Sequence, residues 1–158
     1  MKAASLSELK NELKSLAQPR LLELCVQMAK YRKENKQLLT YLLFEAHDEN
    51  SYISGVKEMI DELFAGINRY NLYQAKKTLR KILRETNKHI KYSGKKQTEV
   101  ELLIYYCQKF KTCGVRYRSS TTLANLYDRQ LLKIAKSISQ LHEDLQYDFK
   151  EELKPLLD

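Results

Sequence analysis

A chain of 158 residues with 43% hydrophobic and 30% charged residues has the composition of one globular domain that can bury a core without disulfides or metal, and it is neither low in complexity nor polar enough for disorder. The formal net charge of +8 is local: residues 71–96 carry nine bases (Lys76, Lys77, Arg80, Lys81, Arg84, Lys88, Lys91, Lys95 and Lys96) against the single acid Glu85, whereas residues 1–70 hold ten of each sign and residues 97–158 nine of each. A concentrated excess of one sign points to an anionic partner more strongly than a diffuse one does, and the longest dense apolar run, Leu38 to Phe44, is too short for a membrane span.

The N-terminal run MKAASLSELKNELKSL has no apolar core of a secretory signal and is too acidic for a transit peptide, so the expected location is the cytoplasm. Leu6, Leu9, Leu13 and Leu16 recur at steps of three and four, which predicts a first helix to about Ala17 with Ser5 or Ser7 as cap and Glu8 in the first turn. Pro19 suits the first position of a second helix, whose stripe Leu21, Leu22, Cys25, Met28 and Ala29 runs to about Tyr31. The polar YRKENK reads as a connection or bend. The following QLLTYLLFEA is apolar on nearly all sides, the pattern of an interior helix.

After the polar loop His47 to Asn50, with Asn50 or Ser51 as cap, Ile53, Val56, Ile60, Leu63, Phe64 and Ile67 define a fourth helix. Gly55 and Gly66 mark either close helix crossings or, at Gly66, an early end. The basic helix is expected from Leu72 to Tyr92, stopped by Ser93 and a left-handed Gly94. EVELLIYYCQKFKTCG could pass for a buried strand at its start, but its length and few β-branched residues favour a central helix ending at Gly114. Beyond VRYRSS, Leu123, Tyr127, Leu131, Ile134, Ile138, Leu141 and Leu145 repeat at alternating steps of four and three, a heptad helix over 123–145 that could dimerise as a coiled coil. A last short helix carries the acids Glu143, Asp144, Asp148, Glu151 and Glu152.

These elements predict a single all-α domain, 1–158, of seven or eight helices in sequential antiparallel hairpins, either a compact bundle or a short right-handed HEAT-like stack. On a helical projection the basic stretch separates cleanly. Leu72, Ala75, Leu79, Ile82, Leu83, Thr86 and Ile90 share one third of the circumference, and the bases occupy a different arc with Tyr73 among them. Cation and aromatic side by side is the pattern of surfaces that bind phosphate backbones and bases. Tyr73, Lys77, Arg80, Arg84, Lys88 and Lys91 are therefore the candidate contacts with nucleic acid or another polyanion. The competing readings of the arc are a solvated lysine face balanced by Glu58, Asp61, Glu62 or the acidic tail, and a membrane surface. Arg116 and Arg118 flank Tyr117 beside a hydroxyl-rich helix start, where they would either hold a phosphate or only solvate.

Other chemistry is thinly represented. His47, Asp48 and Glu49, with Glu45, are the one cluster of metal-ligand types, and they lack a second histidine at helical spacing, so no metal or cofactor is expected. Cys25, Cys107 and Cys113 form no CxxC and read as free thiols, Cys25 and Cys107 as packing residues. No serine stands in a nucleophile elbow, so an enzyme is not expected. The leading function is a binding protein whose basic helix meets an anionic partner. The alternative is a protein-interaction scaffold or homodimer built on the heptad helix.

The segments LLTYLLFEA, NLYQAKKTLRKILRETNKHIKYSGKKQTEVELLIYYC and LYDRQLLKIAKSISQLHEDLQYD together resemble an uncharacterised family of small bacterial helical proteins, a domain of unknown function. That resemblance would span most of the chain and implies no activity, so it assigns no functional residue. The helical hairpins of the N-terminal half are also similar to HEAT and armadillo repeats, without their repeat signature.

Overall fold

In the computed structural model, which describes residues 1–157, the first helix begins where its cap chemistry places it. Ser5 Oγ accepts the Glu8 N–H at 3.3 Å and Glu8 Oε2 accepts the Ser5 N–H at 2.7 Å, a reciprocal capping box that opens α1 (Leu6–Ser15). Pro19 lies in the first turn of α2 (Gln18–Tyr31), where its missing N–H costs nothing. The bend expected over YRKENK narrows to Arg32, whose extended backbone separates α2 from α3 (Lys33–Thr40). A wider π turn, Tyr41–Glu45, follows.

Asp48, not Asn50 or Ser51, caps α4 (Glu49–Ala65): its carboxylate takes the Ser51 N–H at 3.0 Å. Gly66 ends the helix, and Gly55 marks no helix crossing, since a Cβ there would meet nothing within 4 Å. Asn71 caps α5 (Leu72–Ser93) and Gly94 closes it in the left-handed conformation. The apolar stretch after it is α6 (Lys96–Thr112), a helix and not a strand. A 3-10 turn, Tyr117–Ser119, leads into α7 (Thr121–Ile138), and α8 (Glu143–Leu157) is last. Among the described residues there are eight α-helices and no strand, an all-α bundle.

Contacts divide the chain into two compact units, residues 1–44 and 45–158. In the first, α2 packs along α3, and no residue of α1, α2 or α3 is fully buried. The expectation of an interior helix over QLLTYLLFEA is overturned here. Tyr41 is buried, but Leu42, Leu43 and Phe44 are 56, 62 and 65% exposed. A segment apolar all round is covered all round only where neighbours reach every side, and α2 offers α3 a single face.

In the second unit helices adjacent in sequence pack together, and α6 touches α4, α5, α7 and α8, as its nearly continuous apolar surface requires. Val100, Leu102, Leu103, Tyr106, Cys107 and Phe110 are fully buried along it. Rings of Tyr106, Phe110, Tyr117 and Tyr127 meet at centroid distances of 5.0 to 5.8 Å, Phe110 edge-on to both Tyr106 and Tyr117 as the aromatic quadrupole prefers. Their hydroxyls tie the outer helices to the centre: Tyr106 donates to the Leu79 carbonyl of α5 at 3.0 Å, and Tyr127 donates to the Leu156 carbonyl at the end of α8 at 3.0 Å. The second bond satisfies a carbonyl that the helix itself leaves without a partner.

The heptad helix over 123–145 is corrected as well. The period continues, but the helix does not. After Ile138 the N–H groups of Gln140 and Leu141 bond three residues back, to Ser137 and Ile138, tightening the chain into a turn before Glu143 and Asp144 open α8. Both α7 and α8 turn their apolar faces to one core, so the spacing survives the turn. Leu123, Tyr127, Leu131, Ile134 and Ile138 are all buried.

Candidate anion-binding surface

The two faces of α5 are those of its sequence. Ala75, Leu79, Ile82, Thr86 and Ile90 are buried against the bundle, with Leu79 held from below by the Tyr106 hydroxyl. Thr86, mid-helix, satisfies its hydroxyl on the Ile82 carbonyl at 2.9 Å. On the opposite side Tyr73, Lys77, Arg80, Arg84 and Lys91 are exposed, and Lys88 is half-buried in line with them. Steps of three and four place these six side chains on one stripe about 27 Å long at 1.5 Å per residue. Tyr73 is 67% exposed, and the Lys77 ammonium lies 4.7 Å from its ring centroid.

The structure sorts the nine bases into two groups. Lys88 pairs with Glu85 at 2.5 Å, Lys95 with Glu49 at 2.8 Å and Lys96 with Glu99 at 2.6 Å. Glu85 therefore serves Lys88 at i+3, and Lys81, one turn before it, has no carboxylate partner among the described residues. The Lys88 hydrogen bond is the main reason the Glu85 carboxyl is held below its ordinary value, with burial opposing and Arg84 adding. By contrast, among the described residues no carboxylate stands within ion-pairing distance of Lys76, Lys77, Arg80, Lys81, Arg84 or Lys91.

The acids expected to balance this arc, among the described residues, form no ion pair with it. Asp61 pairs with Lys109 at 2.8 Å and accepts the Tyr105 hydroxyl, joining α4 to α6. The acidic helix α8 packs on α6 and α7, and its own Glu151 pairs with Lys154. Neither Glu58 nor Glu62 forms an ion pair with α5.

The two loop arginines part company. Arg118 is bonded to Asp128 at 2.8 Å and its guanidinium covers the Tyr117 and Tyr127 rings at 5.1 and 5.4 Å, a structural role. Arg116 is exposed and has no such partner among the described residues. It shares a cleft of about 670 Å³ with Arg69, Tyr70, Leu72, Gly114 and Ser119 at the N-terminal end of α5. Arg69 and Tyr70 lie just outside the basic stretch, and nothing in the sequence relates them to Arg116, since the fold alone joins the loop after α6 to the start of α5.

A second polar group escaped the sequence reading. Glu99, 9% exposed on α6, is bracketed by Lys96 and by Lys133 of α7 at 3.0 Å, and Lys133 also donates to Asn87 of α5 at 3.0 Å. Burial would raise the Glu99 carboxyl, but the hydrogen bonds from Lys96 and Lys133 outweigh it and hold it low. This is a clamp between three helices, legible in the sequence only as an acid inside an apolar run.

Groups suited to other chemistry are dispersed. Among the described residues no three metal-ligating side chains converge. His89 stacks beside Tyr52, whose hydroxyl lies 2.8 Å from its Nδ1. Burial pushes the Cys107 thiol up to about 12, as for an inert packing residue. Cys25, expected to be a packing residue, is instead exposed, because α2 meets nothing on that side within its unit. No helix of the described residues is long and apolar enough to cross a membrane. Comparison with protein-family models, curated proteins and solved structures gives no match, so the surface stands on its own geometry.

Proposed function

We propose that the protein is a non-enzymatic binding protein whose α5 stripe contacts a polyanion, nucleic acid first, through Tyr73, Lys77, Arg80, Arg84, Lys88 and Lys91. The observation that supports this reading is the absence, among the described residues, of a carboxylate partner for Lys77, Arg80, Arg84 and Lys91, in a molecule that pairs Lys88 with Glu85 and its interior-edge lysines, Lys57, Lys109 and Lys133, with acids. Like charges at i+3 and i+4 repel along a helix, and an exposed row of them is relieved by salt or by an anion that displaces its own counterions on binding. Tyr73 and Lys77 add a ring and a cation for a base to stack on.

The test is binding of single-stranded and duplex oligonucleotides as a function of salt. Each stripe cation that neutralises a phosphate contributes roughly −0.9 to the slope of log K against log salt on duplex, or roughly −0.7 on single strands. Arg80→Glu with Arg84→Glu should shallow that slope by roughly two units and bring elution from heparin to lower salt. Equal elution and equal slopes for the wild type and the double variant would remove the reading.

A further inference from the structure

The cleft at the start of α5 supplies an end point for such a ligand. Two guanidinium groups, Arg69 and Arg116, line it, and among the described residues no acidic side chain does. Among the described residues neither arginine is ion-paired, whereas Arg118, two residues after Arg116, holds the Asp128 carboxylate at 2.8 Å. Two forks of like charge sharing one concavity without a carboxylate repel each other, and a planar or tetrahedral oxyanion is the chemistry that relieves them.

The backbone around them is held in place. Gly114 has φ +81°, and a Cβ on it would stand 3.1 Å from Arg69 Cδ, so the absence of a side chain there lets the Arg69 stem lie across the loop after α6. Ser119 Oγ donates to the Arg116 carbonyl at 2.6 Å, fixing the residue that carries the second fork. Asn68 Oδ1 accepts the N–H groups of Tyr70 and Asn71 at 3.1 and 3.2 Å, and Asn71 Oδ1 accepts that of Gln74 at 3.0 Å. The N–H groups of Leu72 and Tyr73 are then the ones left at the positive end of a 22-residue helix.

We propose that this cleft binds a phosphomonoester, the terminal phosphate of the polyanion that lies along α5. The inference rests on the reading of α5 given above and names the end group of its ligand. Two arginines and a helix terminus match the second negative charge that a monoester carries and an internal diester lacks. The stripe begins at Tyr73, immediately beyond the cleft, and runs in one direction only, so the geometry suits a chain end. Tyr70, 98% exposed beside the cleft, presents a ring for the terminal base.

The experiment uses the full chain and one short single-stranded oligonucleotide in three forms: 5′-phosphorylated, 3′-phosphorylated, and hydroxyl at both ends. One of the phosphorylated forms is expected to bind roughly tenfold tighter than the hydroxyl form, and which one does so gives the strand polarity. Arg69→Gln and Arg116→Gln, both at exposed side chains, should each erase that preference, bringing the phosphorylated form to the affinity of the hydroxyl form measured with the same variant. Arg80→Glu with Arg84→Glu should weaken all three forms and keep their ratio. Equal binding of the three forms by the wild type, or a preference that survives both arginine substitutions, overturns the cleft assignment while α5 binding stands. If no form binds, the reading of α5 has failed, and the cleft is read with inorganic phosphate alone. Amide shifts at Leu72 and Tyr73 that vanish in the Arg116→Gln chain uphold it, and their absence overturns it.

Discussion

His89 shows how a single side chain on α5 couples to the fold. Its ring is partly withdrawn from water between Tyr52 and Tyr92, and burial is the largest cause holding its pKa below the ordinary 6.5, with the Lys88 charge acting in the same direction and Glu85 against it. A histidine depressed in the folded state takes up its proton more readily when unfolded, so its contribution is complete above the unfolded value and is lost as pH falls through 6.5 toward the folded one. Urea melts at successive pH values should show stability falling below neutrality by up to about 1.4 kcal/mol per pH unit. His89→Gln should flatten the curve between neutral pH and the onset of carboxylate titration, and an unchanged slope in that variant would refute the assignment.

At the scale of elements, what the sequence disclosed was local chemistry. The Ser5 cap with Glu8 in the first turn, the Gly94 stop and the amphipathic period of α5 each involve residues within one or two turns, and the structure repeats them closely. What stayed hidden depends on which neighbours exist. Leu42, Leu43 and Phe44 look interior until the single face offered to α3 is known, and the heptad spacing runs through a turn because α7 and α8 share a core. In the candidate surface the stripe was legible and the Arg69 to Arg116 cleft was not. A helix face is written in one segment, whereas a cleft is made by two segments that only the fold brings together. Two glycines give a test of opposite signs at this scale. Gly55 is exposed inside α4 with open space at its Cβ, so Gly55→Ala should stabilise by about 0.5–1 kcal/mol. Gly94 has equal space but φ +67°, so Gly94→Ala should cost about 1–2 kcal/mol by forcing a side chain into the left-handed region. Chemical denaturation of the two variants checks both, and two shifts of the same sign would mean that side-chain space outweighs backbone conformation.

On the scale of the whole molecule, burial and charge are distributed differently. Every fully buried apolar residue except Tyr41 belongs to residues 45–158, together with the tyrosine hydroxyl bonds and the Glu99 clamp. The first unit carries eight bases and four acids of its own, so half of the net charge lies outside the unit that contains α5. If binding followed net charge, removing residues 1–44 would cost a large part of the salt dependence. If it follows the unpaired stripe, it would cost little, because none of the stripe residues or their supports lies in that segment. A chain of residues 45–158 keeps the Asp48 cap and the whole α6-centred core, so it should melt cooperatively. Its oligonucleotide affinity should show a salt slope within about one unit of that of the full chain. A cooperative fold with a slope shallower by several units would move the contact surface to residues 1–44, and loss of the cooperative melt would show that residues 45–158 do not fold alone.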